Sequence, residues 1–162
     1  MNVCMVRIDE RLIHGQILLK WIQYFQCDQI LVVDNETASD PIMSSLLRLS
    51  LPAGVSMNIC SLNQGIHEIL NGADTRSVMV LVKELQTVKE LWSGGVPLKH
   101  VNLSRIPFGP GRRRLTNGIY TNKEEEKLLR ILTDAGINII VQMVPESTQV
   151  MVKDLLNPEE RL

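Results

Sequence analysis

The feature that most constrains this fold is an alternation of short apolar runs with amphipathic segments. Strand-like runs lie at 2–7 (NVCMVR), 29–34 (QILVVD), 55–60 (VSMNIC), 77–83 (SVMVLVK), 99–104 (KHVNLS), 117–122 (NGIYTN) and 137–144 (INIIVQMV). Several are β-branched and continuously apolar, the pattern of strands covered on both faces. Between them Ile17, Leu18, Trp21, Ile22 and Phe25 fall on one helical face. SDPIMSSLLRLSL offers Ser39 as N-cap with Pro41 in the first turn. LNQGIHEILNG and ELQTVKELWSGG both stop at glycine. TNKEEEKLLRILTDAG is capped by Thr121 or Asn122 and carries Glu124 to Glu126 in its first turn, favourable for the helix dipole. TQVMVKDLL reads as a short final helix. Such βα alternation predicts an α/β fold in three layers, a mostly parallel open sheet with helices on both faces. No repeat or linker interrupts the 162 residues, so one domain over 1–162 is expected. The one long irregular stretch is Arg105 to Leu115, RIPFGPGRRRL. The run after it follows a loop rather than a helix and is expected to be antiparallel to its neighbours.

In open α/β sheets ligands bind beyond the carboxyl ends of the strands. The stretch RIDERLIHGQ, residues 7–16, occupies that position between the first strand and the first helix. Helix N-termini favour anions, and Gly15 removes a side chain where a bulky group approaches the backbone. Histidine supplies a neutral nucleophile near pH 7 and forms covalent intermediates. Arg11, three residues before His14, offers a fork matched to phosphate. Asp9 can hold the imidazole or the arginine, and Gln16 can donate to an oxygen. The combination suits a histidine that accepts and passes on a phosphoryl group. The second loop should share this rim, with Arg105, Arg112, Arg113 and Arg114 supplying four of 17 basic residues and Phe108 an apolar contact for a partner.

Blander readings apply elsewhere. His67 lies in a helix and His100 opens a strand, both structural or exposed. An arginine run is commonly a solvated face. GPG is a turn, GxxxxGK[ST] is absent, and no GxGxxG follows the first strand. Asp34, Asn35 and Glu36 therefore read as a loop rather than a ribose site. A net charge of −1 with 4% aromatics gives no footprint for nucleic acid, so any anion site is local. Cys4, Cys27 and Cys60 are odd in number and widely spaced, which indicates free thiols and neither disulfide framework nor zinc site. Charge appears at residue 7, against a secretory signal, and the longest apolar stretches are about half a membrane span. A cytoplasmic protein is expected.

RIDERLIHGQ resembles the signature RIDxRLxHGQ of the enzyme IIB components of the mannose–fructose–sorbose branch of the bacterial phosphoenolpyruvate:sugar phosphotransferase system. Arg7, Ile8, Asp9, Arg11, Leu12, His14, Gly15 and Gln16 fill every fixed position. The similarity continues through ILVVDNETASD, VKELWSGGVPLKHVN and GIYTNKEEEKLLRILTDAGINIIVQMVP. It implies a sheet of about seven strands. It implies that a phosphohistidine of the IIA component phosphorylates His14, and that the group passes to a hexose or amino sugar carried by the membrane IIC and IID components. Arg11 and the backbone around His14 would hold the phosphate, Asp9 would position the loop, and Phe108 and Arg112 would serve docking and anion recognition. Arg7, Gly15 and Gln16 complete the set. No metal or cofactor is implied, the protein would sit at the inner membrane face through IIC and IID, and self-association is left open. A phosphorylation sensor of the same fold is the alternative. The family commonly has a glycine-containing NxGG turn where this chain reads VNLSRI. A turn without those glycines is expected here, with Arg105 adding a phosphate contact. Glu10, at the variable position, is expected to face solvent.

Overall fold

The computed structural model describes residues 1–13, 15–73 and 75–156, the side chains of Gln16 and Ile17 excepted. In chain order the elements are β1 (Asn2–Asp9), α1 (Gly15–Phe25), β2 (Gln29–Val33), α2 (Asn35–Ser39), α3 (Pro41–Leu49), β3 (Ser56–Cys60), α4 (Leu62–Asn71), β4 (Ser77–Val82), α5 (Leu85–Ser93), β5 (His100–Arg105), β6 (Arg113–Thr116), β7 (Ile119–Thr121), α6 (Lys123–Asp134), β8 (Asn138–Val141), β9 (Val150–Met151) and α7 (Val152–Leu155). The main sheet has the order β3-β2-β4-β1-β5-β8-β9. Its pairs are parallel except β8 with β9.

Strand alternation sorts side chains into two cores. Val6 and Ile8 of β1 point into a cluster with Val80 and Val82 of β4 and with Val88, Leu91 and Leu129 of α5 and α6. Met5 points the other way, into a cluster with Leu18, Trp21 and Ile22 of α1 and Leu47 of α3. Connections running toward the β3 edge thus place helices on one face, and those running back place them on the other, as right-handed crossovers require. This is the expected three-layer α/β architecture with a seven-stranded, mostly parallel sheet. Its central strand is β1, so the carboxyl end of β1 lies in the middle of the sheet's functional rim.

Caps fix where helices begin. The Asp40 carboxylate accepts from the backbone N–H of Ile42 and Met43, with Pro41 in the first turn. Asp40, rather than Ser39, is therefore the cap of α3, because Ser39 is used up as the last residue of α2. That short helix occupies 35–39, where a loop was expected; the Asp34 carboxylate accepts from Thr37 N–H at 2.8 Å and nucleates it. Asn122 caps α6 in a reciprocal box with Glu125.

Two strands fall elsewhere than expected. The run at 117–122 does not enter the main sheet. Ile119–Thr121 pairs antiparallel with Arg113–Thr116 as a separate ribbon. Asn117-Gly118 makes the two-residue connection, with Gly118 at φ +75°. The irregular part of the long loop thus shrinks to residues 106–112. The main sheet's seventh strand is β9, in a segment read as helix. Val150 and Met151 cover the open edge of β8 and leave α7 only four residues. The three cysteines are free, and two are buried. Among the described residues no helix is long and apolar enough to cross a membrane.

Candidate functional site

One face of β1 breaks the apolar rule of a doubly covered strand. Met5, Arg7 and Asp9 share that face, and Arg7 and Asp9 are 2% and 1% exposed. The neighbouring strand β5 answers with Asn102 and Ser104, also buried. Arg7 donates to Asn102 Oδ1 and to Ser104 Oγ, each at 2.5 Å. Ser104 Oγ donates to Asp9 Oδ2 at 3.2 Å. Asn102 Nδ2 passes the chain on to the Gln142 carbonyl of the loop after β8 at 3.0 Å. The Arg7 guanidinium carbon also lies 5.9 Å from the centre of the Trp21 ring. Burial pushes the Arg7 pKa down to about 10 against the opposing pull of Asp9, so the guanidinium stays charged at neutral pH. Expected at the rim as a phosphate or docking residue, Arg7 instead lies beneath it.

Asp9 is the last residue of β1 and links this buried ladder to the loop above. Arg11 closes a fork on it, Nε to Oδ1 at 2.8 Å and Nη2 to Oδ2 at 2.8 Å, and its backbone N–H adds a bond at 3.1 Å. Arg11 itself is 28% exposed, so the pair spans the boundary between interior and solvent. Burial would raise the Asp9 carboxyl pKa. The Arg11 donors, with the charges of Arg11 and Arg7, outweigh it and hold the carboxyl below its ordinary value. The turn that follows is strained. Leu12 sits at φ +57°, its N–H bonded to the Asp9 carbonyl at 2.9 Å and its side chain buried. Gly15 opens α1 at φ +28° with open space where a Cβ would stand, which leaves the backbone approachable. His14, and the side chain of Gln16, lie outside the described residues.

The depressed Asp9 pKa has a sign that can be measured. Its ionised form stabilises the fold at pH values above the ordinary carboxylate range, and that stability is lost as pH falls through the depressed native value. Asp9→Asn should therefore cost about 2–3 kcal/mol at pH 7, and the gap to wild type should close as pH drops below about 4. Urea unfolding midpoints between pH 3 and pH 7 measure this; a gap independent of pH would contradict it.

Three of the four arginines of the second loop are occupied, and Arg114 is exposed. Arg105 Nε donates to Glu10 at 2.6 Å, Arg112 forks onto Glu125 at 2.6 and 3.1 Å, and Arg113 forks onto the buried Glu126 at 2.6 and 2.9 Å. Any anion there competes with these carboxylates. Glu10 is 32% exposed and paired, rather than turned to solvent. No turn occurs at VNLSRI, because β5 runs on to Arg105 and the first turn comes after it. Phe108 is 75% exposed and meets Tyr120 edge-on at 5.6 Å. Beside this loop, the ends of β2 and β4 enclose a crevice of about 570 Å³ reached by Glu10, Lys83 and Arg112. Lys83 is committed there to Asp34 at 2.8 Å and Glu36 at 3.1 Å. Sequence reasoning missed Ser104 and misjudged Glu10. The signal for Ser104 was available, since Asn102 and Ser104 alternate with Val101 and Leu103 in an otherwise buried strand.

Comparisons with known proteins find relatives over nearly the whole chain. A family model described as "PTS system sorbose subfamily IIB component" matches residues 3–162. The chain is 27% identical over 154 residues to the N-acetylgalactosamine-specific phosphotransferase enzyme IIB component 1 of Escherichia coli K12, covering 94% of this chain and 98% of that one. It is 28% identical over 158 residues to the mannose-specific EIIAB component of the same strain, covering 97% of this chain and 49% of that one. Among solved structures, the IIBSor domain of the sorbose permease from Klebsiella pneumoniae superposes with a TM-score of 0.91 at 25% identity, covering 97% of each chain.

Proposed function

The chain belongs to the sorbose-subfamily IIB components of the sugar phosphotransferase system, and from that premise we propose that His14 is its phosphoryl carrier. Residues 1–162 act as one IIB unit at the cytoplasmic face of the membrane. A phosphohistidine of a IIA component is the donor. The P–N bond to the donor breaks as a P–N bond to His14 forms. In the second step a hydroxyl of a hexose or amino sugar, presented by the IIC and IID membrane components, attacks phosphorus. The P–N bond to His14 then breaks and the hydroxyl proton is released. The first exchange joins like to like, so the protein's contribution is positioning and charge neutralisation.

The observation that carries this reading is the Arg11 fork on Asp9. A guanidinium gripped from below on two nitrogens is fixed in direction and keeps its remaining N–H donors for the transferring oxygens, three residues before the carrier. Asp9 orients it, and Gly15 and Gln16 add the approachable helix start. Phe108 offers an apolar anchor to a partner, with Arg105 and Arg112 at its base exchanging their carboxylates for phosphate or for the partner's acidic groups. The relation to an EIIAB protein, in which a IIB-like half is joined to another segment, supports a IIA partner.

Incubation with phosphoenolpyruvate and the upstream transfer proteins should place one acid-labile, base-stable phosphate on the chain. Peptide mapping under alkaline conditions should find it on His14; a label on His67 or His100 would overturn the assignment.

A further inference from the structure

We propose that Ser104 is a positioning residue for phosphoryl transfer, holding Arg11 in place through Asp9. The inference rests on the reading of Arg11 as the residue that neutralises the transferring group. β1 and β5 pair as Val6 with Val101, Arg7 with Asn102 and Ile8 with Leu103, and then Asp9 faces Arg105. One residue of β5 is therefore extra, and it is Ser104. A bulge of this kind re-aims a side chain at a sheet's functional end. Here it turns a hydroxyl into the 4%-exposed space between Arg7 and Asp9.

The chemistry of that hydroxyl is specific. It accepts from Arg7 Nη2 at 2.5 Å and donates its own proton to Asp9 Oδ2 at 3.2 Å. The direct Arg7 to Asp9 contact is longer, 3.6 Å. Ser104 is thus the bridge between the buried cation and the carboxylate that grips Arg11. Among the described residues, Asp9 Oδ2 receives a neutral donor from below, Ser104, and a charged donor from above, Arg11 Nη2 at 2.8 Å. Without the hydroxyl, the carboxylate is free to rotate toward Arg7 and shorten the 3.6 Å gap, which would pull one prong of the fork away from Arg11. An ångström of displacement at a charge-stabilising group is enough to slow transfer. Binding of the protein donor is spread over a surface and should be little affected.

The test measures phosphoryl uptake from a phosphorylated IIA partner together with the Arg11 Nε–H signal in nitrogen-15 NMR spectra. In Ser104→Ala the rate at saturating donor should fall about tenfold, with the donor KM within about twofold of wild type. The Arg11 Nε–H signal should shift and exchange faster with water. Ser104→Gly, which removes the hydroxyl and needs no extra space, should repeat the pattern, and Ser104→Thr should restore both rate and signal. A folded Ala or Gly variant with wild-type rate and an unmoved Arg11 signal would overturn the proposal. So would a Thr variant no better than Ala, or a rate loss tracking a general fall in melting temperature while the Arg11 signal stays put. Failure of the underlying reading looks different. In that case wild-type protein itself carries no phosphate on His14, while the Arg11 signal still reports whether Ser104 positions it.

Discussion

Phosphoryl uptake should be lost entirely in His14→Ala and fall about 10²- to 10³-fold in Arg11→Ala, with both proteins folded. The two losses differ because the two residues do different work. His14 would form the covalent bond, and no other histidine can replace it: His67 lies on α4, and His100 begins β5 at the amino-terminal end of the strand, opposite the rim. Arg11 would stabilise charge that develops during transfer, and its removal would leave backbone donors to do the same less well. The fold should tolerate the loss of Arg11 because that side chain is 28% exposed and caps the ladder rather than building it, so about 1 kcal/mol of stability is at stake. Arg11→Lys should rescue the charge but not the fork, recovering only part of the rate. Rapid-quench measurement of labelled protein, with circular dichroism for folding, separates these outcomes. Label persisting in His14→Ala would overturn the carrier assignment, and Arg11→Ala within threefold of wild type would remove Arg11 from the transfer step.

Much of this site was legible in advance because it depends on residues close in sequence. Asp9 and Arg11 are two apart, and a strand end followed by a turn and a glycine brings them together at the rim whatever the distant chain does. The doubly covered strands were equally plain, since a run such as Val78-Met79-Val80-Leu81-Val82 has no polar face to offer solvent. What escaped depended on pairing across long separations. Ser104 reaches Asp9 across 95 residues, and alternation in β5 marks its face but not its partner. The arginine loop read as a free basic patch because Glu10, Glu125 and Glu126 are brought to it by other elements. The hairpin at Asn117-Gly118 was visible as a turn dipeptide. Its first strand was hidden behind three arginines, whose charges mask a segment that pairs through its backbone. Val150 and Met151 read as helix because two residues carry too little pattern to announce an edge strand.

Arg7→Met should destabilise the protein by about 3–5 kcal/mol and lower its melting temperature by about 10 °C. Methionine keeps an unbranched apolar stem that can still lie against Trp21, so loss of volume is the smaller part of the cost. The larger part comes from what stays behind: Asn102 Oδ1 without a donor, Ser104 Oγ without its charged partner, and the Asp9 carboxylate with cationic support from above only. Thermal and urea unfolding check this, and a melting temperature within 3 °C of wild type would contradict it. Buried ionic networks can often be replaced outright by apolar side chains at little cost, whereas breaking them in half is expensive. Arg7→Met combined with Asp9→Leu and Ser104→Ala should therefore regain stability over Arg7→Met alone. The same triple variant should transfer phosphate at least about 10²-fold more slowly than wild type, because Arg11 has lost the carboxylate that aims it. Stability recovered without activity would mean that the ladder of Arg7, Ser104 and Asp9 is kept in the core for the phosphoryl group above it, and that the sheet could be built without it.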